Sequence, residues 1–339
     1  MAPLRILQLA GSPQDEFHCQ LSRTYVQGGL GAIADPARYN FHTAYVTPDR
    51  QWRFPRSLSV EDIAAAKPLP LPEAIAALLA RKIDLALPQM FCLPGVTQYR
   101  SLLDLLGIPY VGNSAAVMAL TAHKHRAKAI VAAAGVKVPY GELLRRGERP
   151  ALSPPVIIKP TTADNSCGVA LVCDGARYEA ALEAAFAYSA EVLVEQYIEP
   201  GREVRCGTLA DGDRLIGLPL EEYPVDATRH PIRSYADKLK PTAAGELALM
   251  AKGKTKAWIV DPSDRVTPVV QAAARRCHLA LGCRHYGLFD FRIDPQGQPW
   301  FLEAGLYCSF SPQSVIPTMA RAAGISLEAL LAMAVRQVI

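Results

Sequence analysis

The chain has 339 residues, half of them hydrophobic and a fifth charged, which is enough core to fold unstapled and excludes a disordered tail or a disulfide miniprotein. Lys and Arg outnumber Asp and Glu by only 36 to 32, and no dense basic block occurs, so neither nucleic acid nor an anionic membrane is an expected partner. Eight cysteines (Cys19, Cys92, Cys167, Cys173, Cys206, Cys277, Cys283 and Cys308) form no C-x-x-C and come no closer than six apart, which excludes a zinc or redox pair and leaves reduced, mostly buried thiols.

Residues 4–12 read as a buried strand ending in a Gly-Ser turn, followed by a helix over 19–30. Met1-Ala2-Pro3-Leu4-Arg5 runs straight into that strand without the apolar stretch of a signal peptide. No later segment reaches the roughly 18 uninterrupted apolar residues of a membrane span, and a cytoplasmic location is expected. Residues 47–72, rich in Pro, Arg and Ser, read as a surface excursion. A helix over 74–80, a strand over 83–88, a helix over 99–106 and a strand over 109–112 then alternate, which predicts a largely parallel sheet.

The character changes near residue 121. A helix over 122–134 closes on Gly135, strands follow at 155–159, 169–173, 192–198, 203–210 and 214–220, and a helix lies at 178–187. Residues 226–262 are polar, Lys-rich and irregular, as a long functional loop would be. A helix over 266–281 precedes two strands, 286–293 and 299–304, joined by the turn Asp294-Pro295-Gln296-Gly297, and a helix from Ser326 ends the chain.

Three constellations carry chemistry. Alternation in Leu288-Phe289-Asp290-Phe291-Arg292-Ile293 places Leu288, Asp290 and Arg292 on one face, and the next strand brings Glu303 nearly opposite Asp290. Such a pair repels unless a cation lies between, and it suits Mg²⁺ holding phosphate oxygens; the alternative is one exposed rim charge. The strand ending at Lys159 delivers a cation to a small polar loop over 161–169 whose N–H groups can wrap phosphates, although a strand-end Lys is also an ordinary solvated terminus. Residues 191–198 form either an adenine-binding hinge or a plain amphipathic edge strand. Arg202, Arg205, Arg233 and Arg292 are candidates for binding carboxylate or phosphate, with Arg292 preferred because it shares the face of Asp290.

The order of these features, with Ala122-His123-Lys124-His125-Arg126-Ala127-Lys128, Ile158-Lys159-Pro160, Glu195-Gln196-Tyr197-Ile198, Tyr235-Ala236-Asp237-Lys238, Phe289-Asp290 and Leu302-Glu303-Ala304, resembles the ATP-grasp superfamily, most closely its D-alanine:D-alanine ligase branch, from about residue 121 onward. The resemblance implies an α/β (α+β) ATP-grasp fold: an N-terminal parallel α/β domain (1–120), a central subdomain (121–205) and a C-terminal antiparallel-sheet catalytic subdomain (206–339) with residues 226–262 as lid. It implies ATP and Mg²⁺, with Lys124 and Lys159 on the phosphates, Glu195, Gln196, Tyr197 and Ile198 along the adenine, and Glu203 on the ribose. Lys238 would take the terminal phosphate, Asp290 and Glu303 would hold the metal, and Lys238, Arg292 and Ser166 would act in catalysis. Substrate contacts are expected from Asp15 (or Glu16), Gln89, Met90, Asn165, Tyr235, Tyr307, Ser309 and Ser314, the last on an acceptor carboxylate. A homodimer is the implied assembly.

The sequence also departs from that branch. Gly305 stands where it has a metal-binding Asn, Leu288 where it has an Arg that steadies the tetrahedral intermediate, and Pro88-Gln89-Met90-Phe91-Cys92-Leu93-Pro94-Gly95 replaces a polar acidic loop. With Glu303-Ala304-Gly305-Leu306-Tyr307-Cys308-Ser309-Phe310, these features resemble the ligases of mycosporine-like amino acid biosynthesis. That resemblance implies condensation of an amino acid such as serine or threonine with mycosporine-glycine through a phosphorylated intermediate. A D-alanine:D-alanine-type dipeptide ligase is the alternative, and a catalytically inactive nucleotide-binding protein the second.

Overall fold

A computed structural model describes residues 2–163, 166–226, 228, 231–233, 239–241, 247–249 and 257–339. The chain opens with β1 (Leu4–Gly11), α1 (Glu16–Ile33), β2 (Tyr39–Val46), β3 (Trp52–Arg53), α2 (Val60–Ala65), α3 (Leu71–Ala80), β4 (Leu85–Pro88), α4 (Leu93–Val96), α5 (Gln98–Leu105) and α6 (Ala115–Thr121). The sheet runs β3-β2-β1-β4, with β1 parallel to both neighbours and β3 antiparallel at the edge. Strand β1 is apolar almost throughout because both its faces are covered, the usual state of a parallel sheet. Gly11 ends it at φ 88°, and a Cβ there would lie 2.1 Å from the Val46 carbonyl oxygen, so the chain turns where only glycine fits. Residues 47–72 are not a loose excursion: Trp52 and Leu58 are buried, and Trp52 pairs with Leu69. Polar neighbours masked these two apolar anchors in the sequence.

The next elements are α7 (Lys124–Ala133), β5 (Gly141–Arg145), β6 (Val156–Pro160), β7 (Ala170–Val172), α8 (Tyr178–Phe186) and β8 (Glu191–Gln196). They build an antiparallel sheet of order β5-β8-β6-β7. Val156, Ile158, Val192 and Val194 form its core beneath Ala185 of α8. The opposite side of the β6 end, with Ile157 and Lys159, faces a cavity.

The last part comprises β9 (Arg202–Asp211), β10 (Arg214–Gly217), β11 (Glu221–Tyr223), β12 (Leu239–Pro241), β13 (Leu247–Leu249), β14 (Trp258–Ile259), α9 (Val266–Ala280), β15 (Tyr286–Ile293), β16 (Pro299–Ala304), α10 (Val315–Ala322) and α11 (Leu327–Arg336). Its main sheet runs β14-β11-β9-β15-β16, with β10 on β9, and among the described residues β12 pairs with β13. Phe289, Phe291 and Phe301 are fully buried against Val270, Ala274 and Cys277 of α9. Each such ring contributes roughly 1.5–3 kcal/mol. The other face of β15 alternates into Leu288, Asp290 and Arg292, where the apolar core gives way to the site.

One core joins the first and last parts, because Ile6 and Leu85 pack in the same cluster as Leu209, Leu288, Met319 and Leu331. Polar contacts reinforce the joint. Asn113 donates to the carbonyls of Tyr286 and Leu306, and the Gly112 amide donates to Nδ1 of His285, a ring whose pKa burial pushes down to about 4. Among the described residues no single helix is long and apolar enough to cross a membrane; α10 and α11 pass only as a pair bent by 107°, and both bury their apolar residues in this core.

Candidate active site

The register of β15 and β16 sets Asp290 directly opposite Glu303, as the alternation predicts. A bulge immediately follows: Phe291 pairs with Phe301, so Leu302 has no opposite number and the strand bends beside the carboxylates. On its other side Asp290 faces Arg205 of β9, whose Nε donates to Asp290 Oδ1 at 2.8 Å. Lys124 Nζ lies 3.5 Å from Glu303 and donates to the Ala163 carbonyl at 2.5 Å, tying α7 to the loop after β6. Both carboxylates line a cavity of about 920 Å³. Among the described residues no three His, Cys, Asp or Glu converge. Two hard oxygen donors at a cavity wall fit Mg²⁺, which completes its shell with water and phosphate oxygens.

Beside this cavity a narrower cleft separates the two antiparallel sheets. Ile157, Val169, Ile198 and Leu302 supply apolar walls fit for a planar base, and Lys124 and Lys159 supply charge. Gln196 borders the cleft as well. Glu195 borders it too, with its carboxylate committed to two lysines. It is 2% exposed, with Lys159 Nζ at 2.5 Å from one oxygen and Lys128 Nζ at 2.6 Å from the other. Burial opposes its ionisation, but the two ammonium groups outweigh that and hold its pKa below the usual carboxylate range. Burial pushes the Lys128 pKa down to about 7. Glu195 therefore aims Lys159 into the cleft.

Arg292 departs from expectation. Its Nη2 donates to Glu203 at 2.7 Å and its Nη1 to the Ile198 carbonyl, and it stacks beside Tyr197 in the narrow cleft. Cross-strand pairing with Glu203 draws it away from the large cavity. Tyr197 carries that stacking contact rather than a place on the cleft wall. Glu203, at the cleft wall, is held by Arg292 and, at 3.9 Å, by Arg233. Ser166 borders both cavities at φ 61°, and Gly168 at φ 68° leaves no room for a Cβ beside Pro160 and Tyr188.

The far end of the large cavity is aromatic. Phe91 packs edge-on to Tyr25 at 4.9 Å and against Tyr307 at 5.6 Å, with Phe17, Leu93 and Val96 nearby. Met90, expected on this wall, is 1% exposed and packs in the core between β1 and α5. Gln89 is buried too, donating to Gln8. The reason is the turn after β4, which points residues 89 and 90 inward and presents Phe91 and Cys92. Asp15 does not line the cavity; it caps α1, accepts from the His18 amide at 2.8 Å and lies 2.7 Å from His18 Nδ1. The ring that does line the cavity is His18, unread in the sequence because capping and binding look alike there. Ser309 and Ser314 line the wall, and the Ser314 hydroxyl bonds to Ser309 at 3.0 Å instead of capping α10. Asn165, Tyr235 and Lys238 lie outside the described residues.

The family described as D-ala D-ala ligase C-terminus matches residues 142–336. A D-alanine–D-alanine ligase of Citrifermentans bemidjiense is 32% identical over 238 residues, 68% of this chain and 71% of that one. The vancomycin B-type resistance protein VanB of Enterococcus faecalis is 32% identical over 260 residues, 74% and 72% of the two chains. Among solved structures, the VanG D-Ala:D-Ser ligase of Enterococcus faecalis superposes with a TM-score of 0.81 at 22% identity, covering 99% of this chain and 100% of that one. The ATP complex of the Bacillus anthracis D-alanine–D-alanine ligase gives 0.72 at 20% identity, covering 98% and 97%. At such identity these structures show the fold. The expectation of mycosporine-glycine as substrate is overturned: the relatives are named as D-alanine–D-alanine and Van ligases, and no mycosporine enzyme appears among them. The features that prompted it, Leu288, Gly305, the loop 88–95 and the segment 303–310, are local departures within a chain that matches this family over residues 142–336. On the strength of the family match and these relatives, the protein belongs to the D-alanine–D-alanine ligase family, as an ATP-dependent, ADP-forming carbon–nitrogen ligase that uses Mg²⁺.

Proposed function

We propose that this protein is a D-alanine:D-alanine-type dipeptide ligase. The observation that carries the reading is the cross-strand pair Asp290–Glu303, set with Lys124 at the junction of a narrow apolar cleft and a wide cavity. A nucleotide in the cleft would present its terminal phosphate at that junction, and the wide cavity has room for two small amino acids.

Bound Mg²⁺ would neutralise charge on the transferring phosphoryl group. The other work belongs to the chain. Lys124 and Lys159 hold phosphate oxygens, Lys159 being aimed by Glu195. Phe91, Tyr25 and Tyr307 exclude water from the carboxyl group to be activated. Ser309, Ser314 and the amino end of α10 would receive the acceptor's carboxylate; the Ser314 hydroxyl, turned to Ser309, leaves the helix without a side-chain cap, which supports this reading. Lys238, Tyr235 and Asn165 remain part of the reading through the family resemblance, as does a homodimer, which sedimentation would test.

The test is enzyme with ATP, Mg²⁺ and D-alanine, read by mass spectrometry and by ADP release. The D-alanyl dipeptide with ADP in equal amount is the expected result. ADP release without dipeptide, or none that depends on D-alanine, would overturn the reading.

A further inference from the structure

Arg205 stands out among the cations of the site. It is one of three residues in a transverse row across adjacent strands, Arg205 on β9, Asp290 on β15 and Glu303 on β16, all facing the large cavity. Its Nε is committed to Asp290, and its Nη1 lies 3.3 Å from the Tyr223 hydroxyl, which fixes the plane of the guanidinium. Tyr223 lies beneath a second arginine, Arg233, 3.5 Å above its ring. Leu288, one step along the same face, is apolar, and Arg292 is turned to Glu203.

Resting on the function proposed above, we infer that Arg205 is a catalytic residue of the second half-reaction, donating to the oxygen that becomes an oxyanion when the amine attacks the acyl phosphate. In that step the neutral amine nitrogen of the second amino acid bonds to the acyl carbon, and the carbonyl π pair moves onto oxygen. Collapse re-forms the carbonyl and breaks the bond from carbon to the phosphate oxygen. Inorganic phosphate departs with that electron pair and takes the extra proton of the nitrogen. A fixed cation beside the metal carboxylate meets the negative charge where it develops, without the reorganisation that a flexible surface arginine would need. Cross-strand placement thus supplies a guanidinium where the strand itself carries Leu288.

The experiment compares Arg205→Met and Arg205→Lys with the wild type in two assays. Scrambling of ¹⁸O from the β,γ-bridge into the β-nonbridging positions of ATP reads acyl phosphate formation, and dipeptide or ADP release reads the whole reaction. Ligation should fall at least about 100-fold in Arg205→Met and about 10-fold in Arg205→Lys, with scrambling and the KM for ATP within about threefold of wild type. If the arginine serves only to hold Asp290, scrambling and ligation fall together, and the inference is overturned; ligation within threefold in both variants overturns it too. Arg205→Lys keeps a cation beside Asp290, so it carries the test if Arg205→Met does not fold. A wild type that releases no ADP with D-alanine refutes the proposed function alone, and the Arg205 comparison is then run with the amino acid, from a panel of D and L forms, that does elicit release.

Discussion

The two ends of the site are built by different means. At the nucleotide end, charged side chains sit on regular strands and on α7 and are locked in buried ion pairs: Glu195 with Lys128 and Lys159, Glu203 with Arg292. At the amino acid end, the wall comes from loops and from the start of α1, with aromatic rings in contact and few fixed charges. The first arrangement tolerates little change, because a buried charge stripped of its partner is costly. The second depends on packing and shape, so its residues are the ones through which substrate preference can be altered.

The most damaging change is expected at the boundary of the two ends. Glu303→Gln removes a metal oxygen and the carboxylate near Lys124; turnover should fall by roughly 1,000-fold or more at saturating Mg²⁺ while the thermal transition stays near that of the wild type. Activity within tenfold would remove Glu303 from the metal site. Next comes Glu195→Gln, which leaves Lys128 and Lys159 facing each other in a dry interior. A stability loss of about 3–5 kcal/mol is expected in urea melts, and a loss below about 1 kcal/mol would show that the triad is solvated.

Adjacent residues separate wall from core at the amino acid end. Phe91→Leu should raise the KM for amino acid severalfold, and Met90→Leu should leave it unchanged, each costing less than about 1.5 kcal/mol of stability. Equal effects on KM would erase the distinction drawn between them. The mildest change is Gly305→Asn. A Cβ there meets only Leu288 Cδ2, at 3.9 Å, so the side chain fits and adds an oxygen two residues beyond Glu303. The Mg²⁺ concentration at half-maximal rate should fall severalfold, as titration of ADP release would show; a rise would mean that the amide points away.

The difference between the ends also decided what the sequence disclosed. The hairpin 286–304 was legible in detail, because alternation and a Pro-Gln-Gly turn fix both faces and register, and Asp290 did meet Glu303. The family resemblance, rather than their positions at a helix start and a strand end, implies a nucleotide role for Lys124 and Lys159, and both line the cleft. What pairs with each cation could not, since Glu195 and Glu203 reach their partners across strands whose neighbours are set by tertiary packing. The sequence favours Arg292 over Arg205 because it shares the face of Asp290; the β9–β15 register assigns Arg292 to Glu203 and Arg205 to Asp290. Met90 and Phe91 likewise differ only in which way one turn points them. The strand β2 escaped reading because Tyr39-Asn40-Phe41-His42-Thr43 is half polar, and it is recognisable only from its partner β1.

The shared core of the first and last parts has an engineering consequence. Leu288 touches the site on one side and belongs on the other to the core cluster that includes Ile6, Leu85 and Ile316. A transplanted N-terminal segment, chosen to change the first amino acid accepted, would arrive with a different surface against the strand that carries Asp290. Recombination between members of this family at the boundary near residue 120 is therefore expected to yield active chimaeras only when the residues packed on Leu288, Tyr286 and Leu209 travel together with the donor's first strand.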